Sequence, residues 1–335
     1  MTPNSARSPG HDQATTDPRP ANGSARVQVI VPVYNEEDVI PAFMQRLHQV
    51  LDHEPVNWSV LFVNDGSGDG TLTQLQRLNR QDRRVGYVNL SRNFGKEHAM
   101  TAGLDLCDAD AVIIMDVDLQ DPPELIPEML REWQNGYDVV YATRRERQGE
   151  SALKKATAHG FYRLMNRLGE IPIPKDTGDY RLLSRRAVEA LRQLRERNRF
   201  MKGLYAWIGY PQKGILFDRE PRAAGNSKWN LPKLWRFAID GITAFSTVPL
   251  RFATWIGLAV AAFAFFYGLV IVIKTLLHGS DVPGYPSLMT VILFLGGIQL
   301  MAIGVIGEYL GRMFSETKQR PLYLIESVQP ADMEE

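Results

Sequence analysis

Two stretches of this chain, Phe252 to Ile273 and Leu288 to Gly307, contain no charged side chain. At about 1.5 Å of rise per residue, roughly twenty helical residues cross the ~30 Å hydrocarbon core of a bilayer. A buried core hairpin has the same composition, but two such stretches joined by a short linker of Gly, Pro, Ser and Asp favour two transmembrane helices. Lys228, Lys233, Arg236 and Arg251 precede the first, and Arg312, Lys318 and Arg320 follow the second, whereas the connecting loop has only Lys274. The positive-inside rule then places both flanks in the cytoplasm and the loop from Lys274 to Ser287 outside. Just before the first stretch, Leu231, Leu234, Trp235, Ala238, Ile239, Ile242 and Phe245 share one helical face. That pattern fits domain core, but beside a membrane span with Trp and cations at its start it predicts a helix lying in the interface.

The rest of the chain has a different character. Basic and acidic residues balance at 38 each, so no cationic excess points to nucleic acid. The single cysteine, Cys107, excludes an internal disulfide and a cysteine metal cluster, and is expected to pack in a helix. Met1 to Ala25, rich in Pro, Ser, Gly, Asp and Asn, are expected to form a disordered tail. They lack the apolar run of a signal peptide, so the domain that follows is expected to stay in the cytoplasm.

From Val27 onward, β-rich runs alternate with helical patterns. The runs are Val27 to Val33, Trp58 to Val63, Val85 to Leu90, Ala111 to Met115 and Asp138 to Ala142. Between the first two, Val39, Ile40, Phe43, Met44, Leu47 and Val50 form one apolar face. This is βαβ order with a mainly parallel sheet, in which ligands bind beyond the carboxyl ends of the strands. Those ends carry Pro32-Val33-Tyr34-Asn35-Glu36-Glu37, Asn64-Asp65-Gly66-Ser67 and Asp116-Val117-Asp118, so the polar chemistry converges on one edge.

The third of these is the most informative. Side chains two apart on a strand share a face, so Asp116 and Asp118 can reach one hard cation together, with the Gln120 carbonyl oxygen completing a metal set. A plain turn is the competing explanation: Asp121 before Pro122 and Pro123 is a good helix N-cap with Pro at the first position.

These strand-end motifs, in this order, resemble family 2 glycosyltransferases with the GT-A fold. Leu90-Ser91-Arg92-Asn93-Phe94-Gly95-Lys96, Asp176-Thr177-Gly178-Asp179-Tyr180-Arg181, Gly225-Asn226-Ser227-Lys228-Trp229 and the two apolar stretches narrow the resemblance. They look like the polyprenyl-phosphate branch, which includes bactoprenol glucosyltransferases and dolichol-phosphate mannose synthases. The implied architecture is a GT-A (Rossmann-like) α/β domain with a mixed, mainly parallel sheet at 26–230. An amphipathic helix at 231–250, a transmembrane hairpin at 251–311 and a cytoplasmic segment at 312–335 would follow.

The resemblance also implies roles. Pro32, Tyr34, Glu36, Asp65, Arg92 and Asp116 would surround the nucleotide sugar, although an Asp-Gly turn accounts for Asp65 as well. Ser227 and Lys228 would close over the donor diphosphate, or form an ordinary loop. Asp118 would hold Mg²⁺ or Mn²⁺ with Asp116 and Gln120. Asp179 would stand by the acceptor, as general base or as the group orienting a lipid phosphate that needs little deprotonation. Arg144 would bind the acceptor phosphate, with Lys154 and Lys155 assigned more loosely; a solvated basic loop is the other explanation. The implied reaction is inverting hexose transfer, with UDP-glucose as first choice of donor and UDP-N-acetylglucosamine or GDP-mannose behind it. The acceptor would be undecaprenyl phosphate at the inner membrane, and the implied assembly a homo-oligomer, a tetramer by the resemblance.

Three rivals bound this reading. A processive polysaccharide synthase would carry Gln-x-x-Arg-Trp and more spans. A nicotinamide-binding oxidoreductase would need a Gly-rich turn where this chain has Tyr34-Asn35-Glu36-Glu37. A non-catalytic membrane scaffold or lipid-phosphate carrier would not need Asp116, Asp118 and Asp179 together.

Overall fold

The computed structural model describes residues 19–20, 23–145, 177–217, 248–278 and 284–332. Lys154, Lys155, Ser227, Lys228 and the amphipathic segment 231–245 lie outside them. The described residues belong to two units. One contains the sheet and the last residues of the chain, from Pro321 onward, and the other contains the two long apolar helices.

In the first unit the apolar runs form strands because each can be buried on both faces. β1 (Arg26–Val33), β2 (Asn57–Asn64), β3 (Val85–Leu90) and β4 (Ala111–Ile114) are parallel neighbours. They are joined by α1 (Ile40–Leu51), α2 (Thr71–Gln81) and α3 (Lys96–Leu106). After β4 come a short 3₁₀ turn (Pro123–Leu125), α4 (Ile126–Gln134), β5 (Val139–Arg144), β6 (Thr177–Ser184), α5 (Arg185–Gln193), α6 (Met201–Trp207) and β7 (Gln212–Phe217). β8 (Ile325–Gln329) closes the far edge, antiparallel to β3. The sheet order is β7-β5-β6-β4-β1-β2-β3-β8, with β6 antiparallel to both neighbours. The expected mixed, mainly parallel sheet is therefore present.

Core side chains from β1, β2, β4, α1 and α4 pack into one cluster that includes Val29, Val31, Phe43, Phe62, Ile113 and Trp133. Burying such side chains is worth ~1.5–3 kcal/mol each. Helix α3 lies close on the sheet because Gly103 has no side chain: a Cβ there would collide with Ile30. From β2 through β3 to β8, side-chain amides link the strands, Asn64 Nδ2 donating to Asn89 Oδ1 (2.7 Å) and Asn89 Nδ2 to Glu326 Oε2 (2.7 Å). The expected tail meets the domain before its predicted end, since the Gly23 amide donates to the Pro55 carbonyl (2.7 Å) and Ala25 is fully buried.

In the second unit, α7 (Val248–His278) and α8 (Tyr285–Thr317) extend each predicted span at both ends. Phe252–Ile271 and Leu288–Thr317 are long and apolar enough to cross a membrane, and the apolar stretch of neither is buried within the protein. Exposed Phe263, Phe265, Leu269, Leu300 and Met301 are the side chains a bilayer would cover.

Two sequence expectations need correction. Strand β4 ends at Ile114, so Asp116 and Asp118 stand on the loop beyond it rather than on the strand. Asp121 does not cap a helix: the 3₁₀ turn opens after Pro122 with no side-chain cap, because two consecutive prolines delay the first helical turn.

Candidate active site

The carboxyl ends of β1, β2 and β4 and the start of α3 surround a cavity of about 300 Å³. Its lining includes Pro32, Tyr34, Glu36, Asp65, Lys96, Asp116 and Asp118. Five of the residues expected around a nucleotide sugar therefore converge there with Asp118, although they come from three separate stretches of sequence.

The loops are stitched to one another. The Asn35 amide donates to Ser67 Oγ (2.9 Å), the Gly68 amide to Asn35 Oδ1 (2.8 Å) and the Glu36 amide to Thr71 Oγ1 (3.0 Å). Asn35 itself is left-handed at φ 55°, a conformation that asparagine tolerates better than most residues. Gly66 is left-handed at φ 63°, and a Cβ there would strike the backbone of Arg92 and Asn93. Asp65 holds that same segment, accepting from the Phe94 amide (2.7 Å) and the Gly95 amide (2.9 Å). Burial pushes its carboxyl up, with the two amides pulling against that. Arg92 lies over the Phe94 ring, 4.0 Å from its centre, and is exposed outside the cavity lining.

Beyond β4, Val117 is buried while Asp116 and Asp118 on either side of it are partly exposed, so the two carboxylates still share a side. Leu119 is left-handed at φ 57°, and the Gln120 amide donates to Asp118 Oδ1 (3.2 Å). A non-glycine residue held in this region marks a turn whose surroundings determine it. Tyr180 on β6 contributes, its hydroxyl donating to the Pro122 carbonyl (3.0 Å). Gln120 is buried and is not among the residues that line the cavity.

Asp179, 63 positions after Asp116 in the chain, reaches the same place because β6 runs antiparallel beside β4. The link is a residue to which sequence inspection gave no role. Lys96 Nζ lies 2.7 Å from Asp116 Oδ1 and donates to Asp116 Oδ2 (2.9 Å) and Asp179 Oδ2 (2.6 Å). Burial alone would lower the Lys96 ammonium, but Asp116 and Asp179 hold it well above the usual lysine range. For Asp179, burial opposes ionisation and is outweighed by Lys96 and Lys202, which keep the carboxyl far below the ordinary range. Its other oxygen, Oδ1, is buried with no hydrogen-bond partner among the described residues.

A second layer surrounds this group. Glu97 accepts from the Met201 amide (3.1 Å), and burial, reinforced by Asp179, pushes it up to about 7. Arg181 stacks on Tyr205, its Cζ 3.6 Å from the ring centre, and its Nη2 donates to the Gly178 carbonyl (2.8 Å). Arg144, at the end of β5, has a buried Nε with no partner among the described residues. Its guanidinium points at Gly178, next to Asp179. Nothing in the local pattern around Glu97, Arg181 or Lys202 announces them, because each acts through neighbours brought in by the sheet order. His98 Nδ1 meets the Phe94 carbonyl (2.9 Å), in keeping with a packing role.

The cavity lining thus sets one cation, Lys96, among four carboxylates, Glu36, Asp65, Asp116 and Asp118. Residues 28–192 match the family model "Glycosyl transferase family 2", and residues 248–313 match "GtrB C-terminal hairpin". An uncharacterized glycosyltransferase of Synechocystis sp. is 52% identical over 299 residues, 89% of this chain and 94% of that one. The chain belongs to glycosyltransferase family 2. This glycosyltransferase is also similar to the bactoprenol glucosyl transferase of Shigella phage SfX, 47% identical across 90% of this chain and 99% of the relative. The uncharacterized glycosyltransferase YkcC of Bacillus subtilis is 44% identical across 89% and 92% of the two chains. The family assignment removes the oxidoreductase and scaffold rivals.

Proposed function

We propose that this glycosyltransferase moves glucose from UDP-glucose to undecaprenyl phosphate in one inverting displacement at the cytoplasmic face of the inner membrane. The observation that carries this is the likeness to a bactoprenol glucosyl transferase along nearly the whole of both chains, apolar hairpin included.

The donor set suits a divalent ion. Asp116, Asp118 and Gln120 offer only oxygen, and the two carboxylates face one cavity. Among the described residues no cluster of three or more His, Cys, Asp or Glu forms an all-protein cage. Mg²⁺ and Mn²⁺ suit such a sparse set, since Mg²⁺ typically takes one or two carboxylates and completes its shell with water and substrate phosphates. Held there, the ion would neutralise charge developing on the departing diphosphate.

Pro32, Tyr34, Glu36 and Asp65 bound the end of the cavity suited to base and ribose, with Arg92 on its flank and Ser227 and Lys228 assigned to the diphosphate. A lipid phosphate, whose second pKa is about 6 as in phosphoserine, is largely dianionic at neutral pH and can attack C1 without a strong base. Asp179, kept ionised, then orients the acceptor or a sugar hydroxyl rather than removing a proton. Arg144 pairs with the acceptor phosphate through its planar fork, and Lys154 and Lys155 are assigned to the same phosphate. One displacement converts an α-linked donor into a β-linked lipid sugar with no covalent enzyme intermediate.

A donor screen tests this. With undecaprenyl phosphate and Mn²⁺ or Mg²⁺, UDP release from UDP-glucose should exceed release from UDP-N-acetylglucosamine and GDP release from GDP-mannose. Preference for either of those donors would replace the sugar assignment, and lipid-independent release alone would overturn transfer to the lipid.

A further inference from the structure

Lys96 already places a cation against the carboxylate expected to bind the metal, with both oxygens of Asp116 within 2.9 Å of its Nζ and Asp179 Oδ2 at 2.6 Å. An ammonium and a divalent ion cannot both occupy those oxygens closely: at ~4 Å their repulsion is strong even in a well-screened site. Lys96 can also leave. Its side chain is 41% exposed and carries a four-carbon stem, and it begins α3 directly after Gly95 at φ 99°. The cavity that Asp116 faces is the one Lys96 lines, so a diphosphate entering it meets a lysine ammonium.

We propose that Lys96 makes divalent-cation binding conditional on the nucleotide sugar: it occupies Asp116 and Asp179 until a diphosphate draws its ammonium away. Donor and ion then bind as a unit. By linkage, the donor raises affinity for the ion and the ion raises affinity for the donor by the same factor. An empty site neither loads metal nor leaves Asp179 as an unbalanced buried charge. The inference rests on the metal assignment proposed above and goes beyond it, because it concerns the order in which the components arrive.

The test is Mn²⁺ titration of the purified full-length enzyme in detergent, reading free Mn²⁺ by electron paramagnetic resonance, alone and with UDP or uridine. The wild type should bind Mn²⁺ at least tenfold more tightly with UDP than alone, and uridine, which has no phosphate, should not substitute. K96M should bind Mn²⁺ without nucleotide at least tenfold more tightly than wild type, while K96R should resemble wild type. Unchanged or weaker Mn²⁺ binding by K96M, with its melting temperature preserved, would overturn the proposal. So would equal enhancement by uridine, which requires no variant at all. D118A separates the two levels: if it binds Mn²⁺ as wild type does, the metal assignment fails, whereas failure of the K96M arm alone leaves that assignment standing.

Discussion

The two ends of the central strands carry two clusters built on one plan, a cation clasped by two aspartates. At the carboxyl ends, Lys96 bridges Asp116 and Asp179. At the amino ends, Arg84 bridges Asp52 (2.8 Å) and Asp82 (3.1 Å). Both line cavities, and the one beside Arg84 is the larger, about 470 Å³ against about 300 Å³. Cavity size therefore does not identify the site. What differs is unspent bonding capacity. Around Arg84 the fork is stacked on Trp58, 4.3 Å from its ring centre, Trp58 Nε1 donates to Asp52 (3.1 Å), and His48 meets both carboxylates. Around Lys96, Asp179 keeps a buried oxygen without a described partner, and two non-glycine residues nearby hold left-handed backbones. One cluster is complete in itself, and the other is arranged to receive something.

The largest effect should come from Asp118→Ala, which removes a metal ligand: lipid transfer should fall by ~10³-fold or more while the melting temperature holds. Metal-dependent turnover retained by the purified variant would remove Asp118 from the metal site. Asp179→Asn should cost ~10²-fold in kcat through lost positioning of the acceptor. A flat pH profile for the remaining activity would favour orientation of the acceptor over proton removal.

At the other end, Arg84→Ala should cost stability and not activity. An exposed ion pair and a surface cation–π contact are together worth ~1 kcal/mol, or about 2–4 °C in melting temperature. A large loss of transfer would mean that the two ends are coupled. Glu97→Gln gives the sharpest sign. Glu97 is raised from 4.5 to about 7 in the folded protein. Its contribution to stability is thus full below pH 4.5 and is lost as the pH rises through 7. The variant should remove that decline, so its melting temperature should gain on the wild type between pH 5 and 8.

Much of this was legible in the chain. The apolar runs at Val27, Trp58, Val85 and Ala111 begin within a residue of strands β1 to β4, because buried parallel strands need continuous apolar sequence. Strand β7 carries no such signal: it lies at a sheet edge, where half of Gln212–Phe217 is exposed and needs no strong apolar pattern. Asp116, Asp118, Asp65 and Asp179 could be chosen because motifs carry them. Lys96 could not be given its role, since its partners lie 20 and 83 positions away and only the β4–β6 pairing brings them together.

The most direct measurement of the account follows radiolabel from UDP-glucose into an organic extract containing undecaprenyl phosphate, comparing wild type, D118A and R84A. The account predicts labelled lipid from wild type and R84A alike, and none from D118A. Labelled lipid from D118A, or its loss in R84A with the fold intact, would contradict the assignment of chemistry to the carboxyl edge of the sheet.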